Sequence, residues 1–190
     1  MKWRKVAALI LLLSLCGSTV IFANAAVQKV RVLINGAEQD DGGIVFDGKT
    51  YLPLRQVADS LLAIVNWDNA SKRATIYKPN VHMFLYKGNS PFGVVDKGFQ
   101  GKIKVFAQVD NLQTNIEAVK VSIADPGGKE RSIESKKVPR GTKDIFWFVS
   151  EEFDYKFDSA GQYTVRFYVQ LDGSDDWSAV SEKVVTSRNP

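Results

Sequence analysis

The chain has little from which to build a catalytic centre. It contains one histidine, His82, and one cysteine, Cys16. A Ser–His or Cys–His nucleophile needs both partners placed by the fold, so this supply is thin. His82 sits at the start of a strand, where a surface or packing role is the simpler reading. Glu151-Glu152 and Asp175-Asp176 are paired carboxylates, but acidic neighbours in sequence mark solvated turns more often than the spaced acid and base of a glycosidase. No phosphate loop, GxSxG elbow or HExxH motif occurs. The remaining candidates bind rather than react. Asp172, Asp175 and Asp176 gather hard oxygen donors in one loop, the chemistry of a calcium clasp, without EF-hand spacing; a plain hairpin turn is the competing reading. Trp177 follows them and offers a face for a sugar ring, against the blander role of packing on a sandwich rim. Ile145-Phe146-Trp147-Phe148-Val149 is apolar at every position. The expectation is a central strand buried on both faces; the alternative is an aromatic platform exposed to a polymer or partner. Asn69-Ala70-Ser71 fits the N-glycosylation pattern and is most simply a hairpin turn.

Residues 1–25 have the form of a signal peptide. Lys2, Arg4 and Lys5 form a basic start, and Val6 to Leu15 is an apolar run too short to span a bilayer comfortably. Ala23-Asn24-Ala25 is a small-x-small site, which places cleavage between Ala25 and Ala26. Two alternatives are an uncleaved N-terminal anchor and a lipoprotein cysteine at Cys16, the latter disfavoured by the large Leu15 before it. Membrane association is expected only through this segment, if it stays uncleaved. The expected location is therefore outside the cell or in its envelope. Removing the three basic residues lowers the net charge of +4 by three, and a nearly neutral mature chain makes no electrostatic case for nucleic acid. Without Cys16 the mature chain has no disulfide to staple it, so apolar cores must hold it together.

Two domains are expected, 26–78 and 81–190, divided at Lys78-Pro79-Asn80. In the first, Val30 to Ile34 is a strand, and Asn35-Gly36 and Asp47-Gly48 are hairpin turns. Lys49 to Leu52 is another strand. Pro53 suits a first helical turn. Leu54, Val57, Ala58, Leu61 and Leu62 then form one apolar stripe on a helix of roughly three turns. Ile64 to Trp67 and Arg73 to Tyr77 form a hairpin about a polar turn at Asp68–Lys72. The sum is a small antiparallel α+β unit with one helix packed on a sheet, marginal by itself at this size.

From Val81 no helical stripe recurs. Strand-like runs appear at 83–86, 102–109, 118–123, 131–135, 145–149, 162–171 and 178–186, separated by turns such as Asp125-Pro126-Gly127-Gly128 and Asp172-Gly173. Roughly seven strands in about 110 residues imply an antiparallel β-sandwich. Asp158-Ser159-Ala160-Gly161-Gln162-Tyr163-Thr164-Val165 resembles the tyrosine corner of immunoglobulin-like domains, in which a tyrosine hydroxyl bonds back to the chain just before its strand. Val165 stands where antibody domains carry a disulfide cysteine.

Tyr51-Leu52-Pro53-Leu54-Arg55, Val57-Ala58, Trp67-Asp68-Asn69-Ala70 and Ala74-Thr75-Ile76 together resemble the copper amine oxidase-like N-terminal, or stalk, domain, common in secreted and envelope proteins of Gram-positive bacteria. The resemblance covers about Val30 to Tyr77. It departs at the helix exit, where the family usually has a glycine and this chain runs Leu62-Ala63-Ile64. The resemblance implies an appendage rather than an oxidase. Such oxidases hold copper with three histidines and make their quinone from a tyrosine of a separate catalytic domain, and one histidine cannot build that site. The expectation is therefore a non-enzymatic protein without cofactor, acting as a spacer or interaction module on an envelope polymer or protein partner. The alternatives are a carbohydrate- or peptidoglycan-binding accessory protein and, least favoured, a calcium-binding wall protein.

Overall fold

The computed structural model describes Trp3 and residues 27–139, 141–142 and 144–190. Trp3 apart, the expected signal segment, with Cys16 and the Ala25–Ala26 cleavage site, lies outside the described residues. The chain forms two compact units, one ending at Pro53 and one running from Leu54 to Pro190.

The first unit is built on two tight turns. Strands β1 (Gln28–Val30), β4 (Gly43–Phe46) and β5 (Lys49–Tyr51) form an antiparallel sheet in the order β1-β4-β5, and β2 (Leu33–Ile34) pairs with β3 (Ala37–Glu38). Asn35 and Gly36 have φ of 52° and 82°, and Asp47 and Gly48 have 49° and 68°. Positive φ at both central residues is what a two-residue turn needs to match strand twist, which is why Asn-Gly and Asp-Gly signal a hairpin.

The second unit opens with helix α1 (Leu54–Ser60), directly after Pro53. It is shorter than the expected three turns. Leu62 enters the left-handed region at φ 56°. Ala63 N–H donates to Ala58 C=O at 2.8 Å and Leu62 N–H to Asp59 C=O at 3.0 Å, the bond pair of a Schellman cap. The left-handed position of the cap is thus filled by leucine. Ala58 and Ala63, the pair that this motif brings into apolar contact, are both buried. Hairpin β6 (Ile64–Asp68) and β7 (Arg73–Tyr77) follows. Its turn is organised by Asp68, whose Oδ1 accepts the Ala70 and Ser71 N–H groups at 2.9 and 3.3 Å.

The rest is a sandwich of two sheets. One has the order β10 (Val94–Asp96), β17 (Trp177–Arg188), β16 (Gly161–Leu171), β12 (Ile116–Ala124) and β13 (Glu130–Lys137). The other runs β14 (Asp144–Val149), β11 (Gln100–Leu112), β8 (Asn80–Lys87) and β9 (Ser90–Pro91), with β15 (Phe153–Lys156) also on β11. All pairs are antiparallel except β10 with β17. Every strand expected from Met83 onward is present, with longer bounds, whereas the strand expected over Val30–Ile34 is split between β1 and β2; the short edge strands β9, β10 and β15 are additions. Alternation is strict along β11 and β16, where Ile103, Val105, Ala107, Val109 and Tyr163, Val165, Phe167, Val169 are buried between the sheets. Ile64 joins this core, so β6 is anchored to the sandwich.

The tyrosine corner is formed. Tyr163 is buried, accepts the Ser159 N–H at 3.0 Å and donates to the Ser159 C=O at 3.2 Å. Gly161 is required there: its φ is 135°, and a Cβ would lie 2.9 Å from Pro126 Cβ. The architecture is an α+β part followed by a β-sandwich, as the sequence patterns indicate.

Candidate functional site

The apolar strand Ile145–Val149 is not central. In the sheet order β14 is terminal, paired only with β11. Phe148 is buried and Phe146 half-buried, whereas Ile145, Trp147 and Val149 are 52%, 67% and 47% exposed. An all-apolar run does not reveal how many neighbours a strand has; β11 gives one side to β8 and divides the other between β14 and β15. The expectation of burial on both faces is therefore corrected, and the exposed platform is what the fold presents.

Register defines that platform. Trp147 lies opposite Gln108, and Gln108 opposite His82. Val149 lies opposite Phe106, and Phe106 opposite Phe84. Lys104 lies opposite Tyr86, its ammonium 6.0 Å from the tyrosine ring centroid. Directly opposed residues share a face, so Trp147, Phe84, Phe106 and Tyr86 stand on one open surface among Gln108, His82 and Lys104. Phe84 is 49% exposed. Trp147 and Phe84 lie two strands apart, ~10 Å across the sheet. Gln108 Nε2 donates to Asp110 Oδ2 at 3.5 Å, while Asp110 Oδ1 is buried without a hydrogen-bond partner among the described residues. A shallow hollow of about 290 Å³ lies between Tyr86, Asn89, Lys104, Phe106 and Val149.

The other predicted residues fall elsewhere. Trp177 is half-buried on the opposite sheet, where Lys120 Nζ stands 4.6 Å from its ring centroid and 4.6 Å from that of Tyr168. The cation occupies the aromatic surface that a sugar would use. Tyr168 also donates to Glu130 Oε1 at 2.7 Å, and Ser122 bonds the same oxygen. The Ser122 hydrogen bond is the main reason the Glu130 carboxyl is held below its usual range, with burial opposing and Tyr168 assisting.

Asp172, Asp175 and Asp176 do not make a clasp: among the described residues no three His, Cys, Asp or Glu side chains group where one metal ion would reach them. The loop folds as a turn, with Ser174 N–H on Leu171 C=O at 3.1 Å and Asp176 N–H on Ser174 Oγ at 3.1 Å. Asp172 and Asp176 instead line an open cleft of about 430 Å³ with Arg55, Trp67 and Asn115. His82 is exposed, in keeping with a surface role, and Glu151 and Glu152 lie exposed in the β14–β15 connection.

Sequence reasoning missed Phe84, Tyr86, Phe106 and Gln108 as partners of Trp147. The signal was present in part: His82, Phe84 and Tyr86 alternate with Met83 and Leu85, but the outward positions are themselves largely aromatic and mask the period.

Residues 33–124 match the family described as copper amine oxidase N-terminal domain. The match runs past the β6–β7 hairpin into β8, β11 and β12, farther than the motifs quoted above. It is a likeness to the N-terminal domain and not to the catalytic domain of such oxidases. No curated protein matches the chain.

Proposed function

We propose, from the likeness of residues 33–124 to a copper amine oxidase N-terminal domain, that this protein is an exported, non-catalytic module of the cell envelope that holds a glycan chain on its open sheet face. The observation that carries this reading is the placement of exposed Trp147 and Phe84 on one surface around Gln108 and His82. Pyranose rings present apolar faces that lie flat on aromatic rings, and their hydroxyls pair with amide and imidazole groups. A β-sheet holds such groups on a rigid, nearly planar frame. Exposed aromatics gathered on one face mark an interaction surface rather than an inert spacer.

The test is co-sedimentation of the purified protein with insoluble cell-wall polysaccharide. Retention is expected for the wild type and for Trp177→Ala, and loss for Phe84→Ala and Trp147→Ala. Equal retention of all four would remove the platform from the account.

A further inference from the structure

We propose that the protein forms a two-fold dimer in which the free edge of β14 pairs antiparallel with β14 of a second copy. The sandwich has edges at β9, β10, β13, β14 and β15, and four of the five are blunted. β9 is two residues long and ends in Pro91, β10 is three residues long, and β15 is four residues long and carries Asp154 and Lys156. β13 carries Glu130, Arg131, Glu134, Lys136 and Lys137. Short strands, proline and charge are the usual guards against edge pairing. Ile145–Val149 has no proline and no charged side chain of its own, and its edge meets a charge at the Val149 C=O, where Lys136 donates.

The strand is close to a mirror of itself. Phe146 and Phe148 flank Trp147, and Ile145 and Val149 flank those. An antiparallel pairing with its axis at Trp147 sets Trp147 against Trp147, Phe146 against Phe148 and Ile145 against Val149. Aromatic and β-branched cross-strand pairs of this kind stabilise sheets, and no like charges meet. The self-matching pattern selects a second copy over a foreign strand, because a two-fold interface uses one patch twice.

The backbone is oriented for it. Ser150 N–H donates to Val105 C=O at 2.9 Å, and Val105 N–H donates to Ser150 Oγ at 2.9 Å. This fixes Ser150 and Val105 as a pair whose groups point at each other. Such pairs alternate along an antiparallel ladder, so Phe148 and Phe146 turn their N–H and C=O groups toward β11. Trp147 and Val149 turn theirs to the open edge, and Ile145, which lies opposite the β11 bulge between Val109 and Leu112, continues the alternation along β14. Consistently, the Val149 C=O accepts the Lys136 ammonium at 2.7 Å from β13 of the other sheet. An axis at Trp147 makes these three residues the hydrogen-bonded pairs of the new ladder, and the second lone pair of the Val149 carbonyl keeps its lysine.

Sedimentation equilibrium of the purified protein across concentration tests this, independently of any glycan. Trp147→Lys and Ile145→Lys are run alongside; both side chains are more than half exposed, so the lysines enter water, and unchanged thermal unfolding at low concentration verifies the fold. The expected result is a wild-type mass that rises to twice the chain mass and association weakened at least about tenfold in each variant. Amide exchange of Ile145, Trp147 and Val149 is expected to slow only as the dimer forms. A wild type that stays monomeric would overturn the proposal. So would a dimer indifferent to both lysines, or one that leaves those three amides unprotected.

Discussion

The Tyr163 hydroxyl and the Ser159 peptide close a small ring: the N–H of Ser159 reaches the hydroxyl at 3.0 Å and the hydroxyl reaches its C=O at 3.2 Å. This ties the segment entering β16 to a buried side chain whose ring stacks edge-on against Phe157 at 4.8 Å and Tyr155 at 6.0 Å. Tyr163→Phe keeps the ring and removes both bonds. The expected cost is ~1–2 kcal/mol, read as a lower urea midpoint at unchanged denaturant slope. A change below a few tenths would show the corner to be ornamental.

Leu62 holds a left-handed conformation that costs a side-chain-bearing residue ~1–2 kcal/mol, part of which glycine gives back through its greater freedom in the unfolded chain. Leu62→Gly is expected to stabilise the protein by ~0.5 kcal/mol, seen as a small rise in the unfolding midpoint. A clear loss of stability would mean that the half-buried leucine side chain outweighs the backbone strain.

Glu130 sets an acid-sensitive contribution. Its folded-state carboxyl titrates below the unfolded one, first because of the Ser122 hydrogen bond and also through Tyr168. The sign follows from linkage: stability is fully present above the ordinary carboxylate range and is lost as pH falls through the lower folded value. Glu130→Gln is expected to flatten the acid limb of the stability profile. An identical acid limb in wild type and variant would contradict this.

Lys120 stands between the rings of Tyr168 and Trp177. Lys120→Ala is expected to cost ~0.5–1 kcal/mol in stability without changing retention on polysaccharide. Loss of retention would bring the Trp177 surface back as a site.

Much of this fold was legible because its signals are local. Asn35-Gly36 and Asp47-Gly48 state their turn type by needing positive φ twice, and Gly161 with Tyr163 states the corner. The helix exit was legible as a problem but not as a solution, since the cap at Leu62 depends on the bond from Ala63 back to Ala58. The site was less legible. Whether Ile145–Val149 is central or terminal depends on how β11 shares its side between β14 and β15, a long-range fact that no periodicity records. Trp177 drew attention by standing beside acidic residues, yet its ring is engaged by Lys120, more than fifty positions away in sequence.

The proposed glycan platform is the open face of β8, β11 and β14. Co-sedimentation with insoluble cell-wall polysaccharide, comparing Phe84→Ala with Trp177→Ala, addresses it most directly. Phe84 lies away from the β14 edge, so its loss reports on the face alone. Phe84→Ala is expected to abolish retention and Trp177→Ala to keep it. Loss in Trp177→Ala with full retention in Phe84→Ala would contradict this and move the site to the opposite sheet.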